Sequence, residues 1–289
     1  MLNLRKQLLH YIRLVRLNKP IPILLLLWPV LWSIFVASNG VPQPKFLIIF
    51  LLGVFTMRSL GCAINDIVDR KIDVHITRTK MRPLAHGDIS LTEALFISGL
   101  LALIALVLVM QLNLYSFELA CVAAVLTVVY PFMKRYTYFA QVVLGVVFNF
   151  GVLIAFTAIG NTLPATAYLL YFATIIWTVA YDTLYALADV KDDKKLNMKS
   201  MAVLLEKYKI THITIAVLQL IFIGALISVA LINQYNFKFY IPIPIISFIF
   251  VRQHILIKKR EPKKCMQAFR ENHLVGCAIM LGFIWQLFM

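Results

Sequence analysis

The chain has 289 residues, of which 61% are hydrophobic and 14% charged, far from the roughly 45–50% apolar and about 25% charged of soluble globular domains. With a mean hydropathy of +0.84, it reads as an all-α integral membrane protein whose apolar runs recur at the ~20 residues needed to cross a ~30 Å hydrocarbon core. The net charge of +15 would suit nucleic acid, but the bases lie in short segments between apolar runs, where they act as topology signals, so no nucleic-acid partner is expected.

In chain order, residues 1–19 are basic and lack a small-residue cleavage site before the first long apolar run. They predict a retained interfacial helix, not a signal peptide. Nine spans follow, at about 21–38, 46–67, 91–111, 114–131, 140–160, 164–188, 210–232, 238–257 and 273–289, forming one membrane domain over 1–289. The eighth contains Pro242, Pro244 and Arg252 and the ninth is short; proline is tolerated where neighbouring helices satisfy the freed carbonyl.

Lys and Arg alternate along this order. The amino-terminal segment and the loops after spans two, four, six and eight hold 5, 5, 2, 6 and 6 of them, and the intervening loops hold only Lys45 and Lys238. Arg58 and Arg252 lie inside spans. The asymmetry predicts a cytoplasmic amino terminus and an outer carboxyl terminus. Cys62, Cys121, Cys265 and Cys277 are isolated in sequence, which points to packing rather than a disulfide framework or a metal site.

More than half of the 13 acids fall in two short windows. Asp66, Asp69 and Asp73 are spaced i, i+3, i+7 at the end of the second span, so a continuing helix carries all three on one face. Asp182, Asp189 and Asp193, at i, i+7, i+11 near the end of the sixth span, predict a second such face. Carboxylates grouped this closely disfavour one another's charge unless a cation compensates. Oxygen donors without His or Cys suit Mg²⁺, Ca²⁺ or Mn²⁺, and Mg²⁺ is commonly held by one or two carboxylates together with phosphates and waters. Arg16, Arg78, Lys80, Arg82, Lys134 and Arg135 on the same side suit phosphate oxygens. A solvated ion-pair rim is the bland alternative; the single helical faces and the position of Asp66 and Asp182 at the ends of apolar runs favour the metal–diphosphate reading. Asn65 is open between a neutral metal ligand and a cap. Tyr130 and Lys134, spaced YxxxK, are open between a site and an interfacial tyrosine with a snorkelling lysine.

Mg²⁺–diphosphate chemistry at one face of a greasy bundle suits a substrate with a polar end and a long hydrocarbon, such as a polyprenyl diphosphate. Metal and base contacts would stabilise the departing diphosphate, and a water-excluded cavity would protect an allylic cation until an aromatic ring captures it.

At these residues the chain resembles the UbiA family of intramembrane prenyltransferases. NDxxDxxxD is read at Asn65, Asp66, Asp69 and Asp73, followed by RTKMRPL from Arg78 to Leu84; DxxxD is Asp189 to Asp193, and YxxxK is Tyr130 to Lys134. The segments NKPIPILLLLWPVLW, YPFMKR and AYDTLYA resemble the family's hydroxybenzoate branch more specifically. Lys191 departs from the acid often found there in that branch, which puts an auxiliary contact in doubt. The resemblance implies helices arranged around a central cavity, and transfer of a polyprenyl group from an all-trans polyprenyl diphosphate to the carbon ortho to the hydroxyl of 4-hydroxybenzoate, in ubiquinone biosynthesis. It implies a multi-pass protein of a bacterial-type inner (cytoplasmic) membrane with its site at the cytoplasmic face, working with the lipid bilayer and no obligate protein partner. Asn65, Asp66, Asp69, Asp73, Asp189 and Asp193 would bind two Mg²⁺ ions bridging the diphosphate. Arg16, Arg78, Arg82, Tyr130 and Lys134 would contact the substrate, Arg135 either the diphosphate or the benzoate carboxylate, and Asp182 or Asp189 the phenol or ring proton. Naphthoate, homogentisate or haem acceptors, and a secondary transporter with internal duplication and buried acids, are the alternatives.

Overall fold

The computed structural model describes residues 2–76, 79–195 and 197–286, and within them every side chain except those of residues 2–4 and Lys134. Among the described residues every regular element is helical. A surface helix, α1 (Leu2–Leu14), leads to α2 (Pro20–Ser38), α3 (Pro44–Asp73), the short α4 (Pro83–His86), α5 (Leu91–Val109) and α6 (Leu114–Val129). Then come α7 (Met133–Tyr136), α8 (Ala140–Phe148), α9 (Phe150–Gly160), α10 (Ala165–Ala186), α11 (Val190–Lys195), α12 (Met201–Tyr208), α13 (Thr211–Ile232), α14 (Pro242–Ile257) and α15 (Pro262–Trp285). Proline opens α2, α3, α4, α14 and α15, a position whose N–H has no intrahelical partner to lose. At the start of α5, Ser90 and Glu93 form a reciprocal capping box.

Among the described residues eight segments are long and apolar enough to cross a membrane, the last being Phe237–Ile257; the chain is a multi-pass membrane protein. The expected ninth span is the latter part of α15, and its last three residues, 287–289, lie outside the described residues. That helix starts at Pro262, well before the expected boundary, and its first turns carry Lys263, Lys264, Arg270 and Glu271, so only its second half is apolar. The fifth segment is two helices, α8 and α9, broken at Asn149. The buried Asn149 amide donates to the Gly145 carbonyl (2.8 Å) and to Thr178 Oγ1 (2.9 Å), and Tyr171 Oη donates to the Val146 carbonyl (2.8 Å), tying the polar groups around the break to α10.

The 30 residues of α3 extend about 45 Å at 1.5 Å per residue. A span of ~30 Å uses only the first two-thirds of that length. Its last turns, with Asn65 to Asp73, therefore stand at the end of the bundle. The core lies among α2, α10, α13 and α15, where Trp32, Trp177 and Phe222 are fully buried. α5 and α6 turn large apolar side chains such as Phe96, Leu103 and Val125 outward, as a lipid-facing pair does.

α2 and α15 approach closely at Gly276: Trp32 Nε1 donates to its carbonyl at 3.3 Å, and a Cβ on Gly276 would overlap the Trp28 indole. Gly276→Ala is therefore expected to cost about 1–3 kcal/mol by overpacking, read as a lower apparent Tm in detergent; an unchanged Tm would mean that Trp28 moves freely.

Candidate functional site

A cavity of about 810 Å³ opens at the end of the bundle where α3 and α10 terminate. Asn65, Asp69 and Asp73 contribute to its wall from α3, Asp182 from the end of α10, Asp189 from the turn after it and Asp193 from α11. Arg16, Arg82 and Tyr130 line it as well. The two acidic stations, separated by more than a hundred residues of sequence, thus share one chamber with bases and an aromatic hydroxyl.

The first station sits on one continuous helix, so the i+4 spacing of Asp69 and Asp73 is preserved. Asp66 is placed differently. It is 2% exposed and does not belong to the cavity wall; its Oδ1 accepts from Arg16 Nη2 at 2.5 Å and from Arg82 Nη1 at 3.0 Å. Arg82 Nη1 also donates to Asp73 Oδ2 at 2.7 Å. Thr79 Oγ1 donates to the Asp73 carbonyl at 3.1 Å, folding the following loop back on the helix end. Arg78 lies outside the described residues, and Lys80 is exposed.

The second station is not the single helical face that the spacing predicts. α10 ends at Ala186, and Leu187 to Asp189 form a tight turn before α11. The N–H groups of Leu187 and Asp189 bond to the carbonyls of Thr183 (3.0 Å) and Ala186 (3.0 Å), and those of Asp192 and Asp193 both reach the Asp189 carbonyl (3.0 and 2.9 Å). The bend keeps all three carboxylates on the cavity even though they leave a common helix axis. Ser200 Oγ donates to Asp193 Oδ2 at 3.3 Å.

The YxxxK face is broken in the same way. Tyr130 begins a 3₁₀ turn, Tyr130–Phe132, before α7; its ring faces Phe148 at 6.4 Å, and the Lys134 side chain lies outside the described residues. Arg135 is outside the wall, 39% exposed at its side chain, with Nη2 3.9 Å from Asp69 Oδ1 and 3.2 Å from the Val68 carbonyl. Arg16 follows α1. Burial alone would lower its pKa, but Cys62, Asp66 and Tyr185 and the hydrogen bond to Asp66 together raise it, so the guanidinium stays charged.

Several lining residues escaped the sequence reading, above all Arg58, one of the two arginines inside apolar runs. It enters the wall from the middle of α3, its guanidinium 5.5 Å from the Phe148 ring centroid, and lies within electrostatic reach of Tyr130 and Tyr181. An ionisable group in an apolar run is the signal that could have found it. The other, Arg252, gives the same signal but points away, pairing with Glu271 at 3.0 Å. Tyr181, Leu144, Val147 and Phe148 form an apolar and aromatic part of the wall.

The donor set fits Mg²⁺. Its oxygens come from four aspartates, Asp69, Asp73, Asp189 and Asp193, and from Asn65, whose buried Oδ1 has no hydrogen-bond partner among the described residues. Among the described residues no three acidic, histidine or cysteine side chains gather into a self-contained cage. Mg²⁺ would not need one, since phosphate and water oxygens commonly supply its remaining ligands.

A sequence model described as the UbiA prenyltransferase family matches residues 26–286. The 4-hydroxybenzoate octaprenyltransferase of Coxiella burnetii (strain Dugway 5J108-111) is 42% identical over 287 residues, 98% of each chain. That of Hahella chejuensis (strain KCTC 2396) is 44% identical over 274 residues, 95% of this chain and 91% of the relative. Among solved structures, the apo UbiA homolog from Aeropyrum pernix K1 superposes with a TM-score of 0.78 at 20% identity, covering 92% of this chain and 98% of that one. A UbiA homolog from Archaeoglobus fulgidus, bound to GPP and Mg²⁺, gives 0.71 at 18% identity, covering 97% of this chain and 100% of that one.

Proposed function

Because the chain belongs to the UbiA prenyltransferase family, we propose that it transfers a polyprenyl group from an all-trans polyprenyl diphosphate to the carbon ortho to the hydroxyl of 4-hydroxybenzoate, in ubiquinone biosynthesis. The observation that carries this reading is the single cavity onto which both acidic stations, Arg16, Arg82 and an apolar aromatic wall open. Relatives more than 40% identical over nearly the whole length carry the octaprenyltransferase name. The basic end of the bundle is the cytoplasmic face of the inner membrane, the amino terminus is cytoplasmic, and residues 1–289 act as one domain.

Asp69, Asp73, Asp189 and Asp193, with Asn65, would hold two Mg²⁺ ions; when bound, Mg²⁺ neutralises charge that accumulates on the departing diphosphate. Arg16 and Arg82 donate to the diphosphate oxygens, as do Arg78 and Lys134. The allylic C–O bond breaks and its electron pair leaves with the diphosphate. The wall of Leu144, Val147, Phe148 and Tyr181 keeps water from the allylic cation. The ring carbon ortho to the phenol attacks C1, and the ring proton passes to Asp182, whose carboxylate opens on the same chamber. The acceptor's carboxylate, para to its hydroxyl, requires a cation inside the cavity. Arg58 meets that requirement better than Arg135, because it stands in the wall while Arg135 stands outside it.

Arg58→Gln is expected to raise the KM for 4-hydroxybenzoate about 10–100-fold, the loss of one charge-assisted pair, with the KM for the prenyl diphosphate unchanged and partial recovery in Arg58→Lys. An unchanged acceptor KM would return the role to Arg135. The reaction itself is tested by mass analysis of products from 4-hydroxybenzoate and a mixture of prenyl diphosphates, with and without EDTA. Prenylated hydroxybenzoate in the metal-containing arm alone supports the proposal; product only with a naphthoate or homogentisate acceptor overturns it.

A further inference from the structure

We propose that Asp66 is a positioning residue and not a metal ligand: a buried anion that fixes the guanidinium groups of Arg16 and Arg82 at the mouth of the cavity. The inference rests on the reading of that mouth as the diphosphate site.

Three chain segments meet at this carboxylate. Arg16 comes from the connection between α1 and α2, Asp66 from α3, and Arg82 from the residue that caps the start of α4. A single oxygen, Asp66 Oδ1, takes both arginines, at 2.5 and 3.0 Å. The side chain of Asp66 is 2% exposed while those of Arg16 and Arg82 are 18% and 15% exposed. The acid is therefore sealed behind the bases, which keep a face on the chamber. Both cations reach it through Oδ1, while its Oδ2 is buried with no hydrogen-bond partner among the described residues, and it is absent from the cavity wall that Asp69 and Asp73 share. A guanidinium has five N–H donors in a rigid fork. Arg82 reaches both Asp66 and Asp73 through Nη1, which fixes the plane in which its other N–H groups lie.

The backbone at Arg16 is a second observation. Leu17 N bonds to the Ile12 carbonyl (3.1 Å) and Arg16 N to the Arg13 carbonyl (3.2 Å), the Schellman arrangement that ends α1. Arg16 takes the left-handed position at φ 56°, which glycine or asparagine fills at less cost. A long cationic side chain stands there and reaches a buried partner on another helix. The helix it terminates is itself anchored: Glu93 Oε1 accepts from Tyr11 Oη at 2.6 Å and from Gln7 Nε2 at 2.8 Å. Both ends of the Arg16 strut are thus fixed, one through Glu93 and the other through Asp66. A preorganised cation loses less freedom on meeting a phosphate than one that must first find its orientation.

The test separates arginine positioning from metal binding. Asp66→Asn is expected to weaken binding of a labelled, unreactive prenyl thiolodiphosphate at saturating Mg²⁺ by about 10-fold or more. It should raise the KM for the prenyl diphosphate comparably, while the Mg²⁺ concentration for half-maximal turnover shifts by less than about two-fold. Asp73→Asn serves as the contrast and should shift that Mg²⁺ concentration strongly. Asp66→Asn leaves two partly buried cations less compensated, which destabilises the fold, so the second measurement uses Arg16→Gln/Arg82→Gln with and without Asp66→Asn. If Asp66 works through the arginines, the added substitution changes analogue binding in this neutral background by less than two-fold. A Mg²⁺ requirement that rises as in Asp73→Asn, or a further loss in the neutral background, overturns the inference. Failure of the wild-type protein to bind the analogue would instead overturn the diphosphate reading on which it stands.

Discussion

Asp73→Ala and Asp189→Ala are each expected to lower prenyl transfer on the order of 10³-fold or more at saturating substrates, the scale on which electrostatic stabilisation of a leaving group is lost. The reason lies in the placement of the two carboxylates: one on α3 and the other in the turn before α11, on different walls of one cavity. Neither station alone gathers three acidic ligands among the described residues, so under the proposed function each would depend on the other to hold the metal–diphosphate unit in place. Residues that act as a unit are non-additive, and the double variant should therefore lose little more than either single one. Asp73→Ala leaves Arg82 with its bond to Asp66, so the fold should survive and the apparent Tm should stay near that of the parent. The measurement is turnover of 4-hydroxybenzoate across a Mg²⁺ titration. Near-full activity of either variant at saturating Mg²⁺ would sink the two-station site.

Much of this site was legible because helical spacing is a local property. Asp69 and Asp73 could be paired from sequence since nothing between them interrupts α3. The bend at Leu187 to Asp189 was not legible: no glycine or proline marks it, and the residues around it are compatible with a continuing helix. The placement of Asp66 was hidden for a different reason. Spacing puts it on the same face as Asp69 and Asp73, but which cation covers it depends on a segment fifty residues away whose path is a tertiary fact. Arg58 and Arg252 make the same point as a pair, since both are charges inside apolar runs. Only the approach of Arg58 to Phe148, and of Arg252 to Glu271 of α15, decides that one meets the cavity and the other an ion pair. The overall fold was read more securely, because length and apolarity fix a spanning helix almost irrespective of its neighbours. The last helix was the exception, its polar first turns falling below any apolar threshold.

Trp177→Ala is expected to cost about 3 kcal/mol, near the lower end for truncating a buried aromatic residue. The lower end applies because helices in a bilayer separate into an apolar solvent, so loss of the hydrophobic transfer contribution is small and the lost packing contacts dominate. Those contacts are numerous. The Trp177 ring is fully buried, stacks on Phe222 at 5.6 Å and 8°, lies 5.2 Å from Trp32 and meets the edge of Tyr181 at 5.3 Å. Its Nε1 donates to Asn272 Oδ1 at 3.1 Å, so truncation also leaves a buried acceptor without its donor. One side chain on α10 thereby holds α2, α13 and α15 together directly beneath Tyr181, which lines the cavity. Apparent Tm in detergent should fall by roughly 6–12 °C, and Trp177→Phe, which keeps most of the ring packing but not the N–H, should lose about 1–3 kcal/mol. Turnover should fall through kcat, as the floor under Tyr181 and Asp182 loosens, with the Mg²⁺ requirement unchanged. A variant with parental Tm and reduced turnover would place Trp177 in the reacting chamber instead of beneath it.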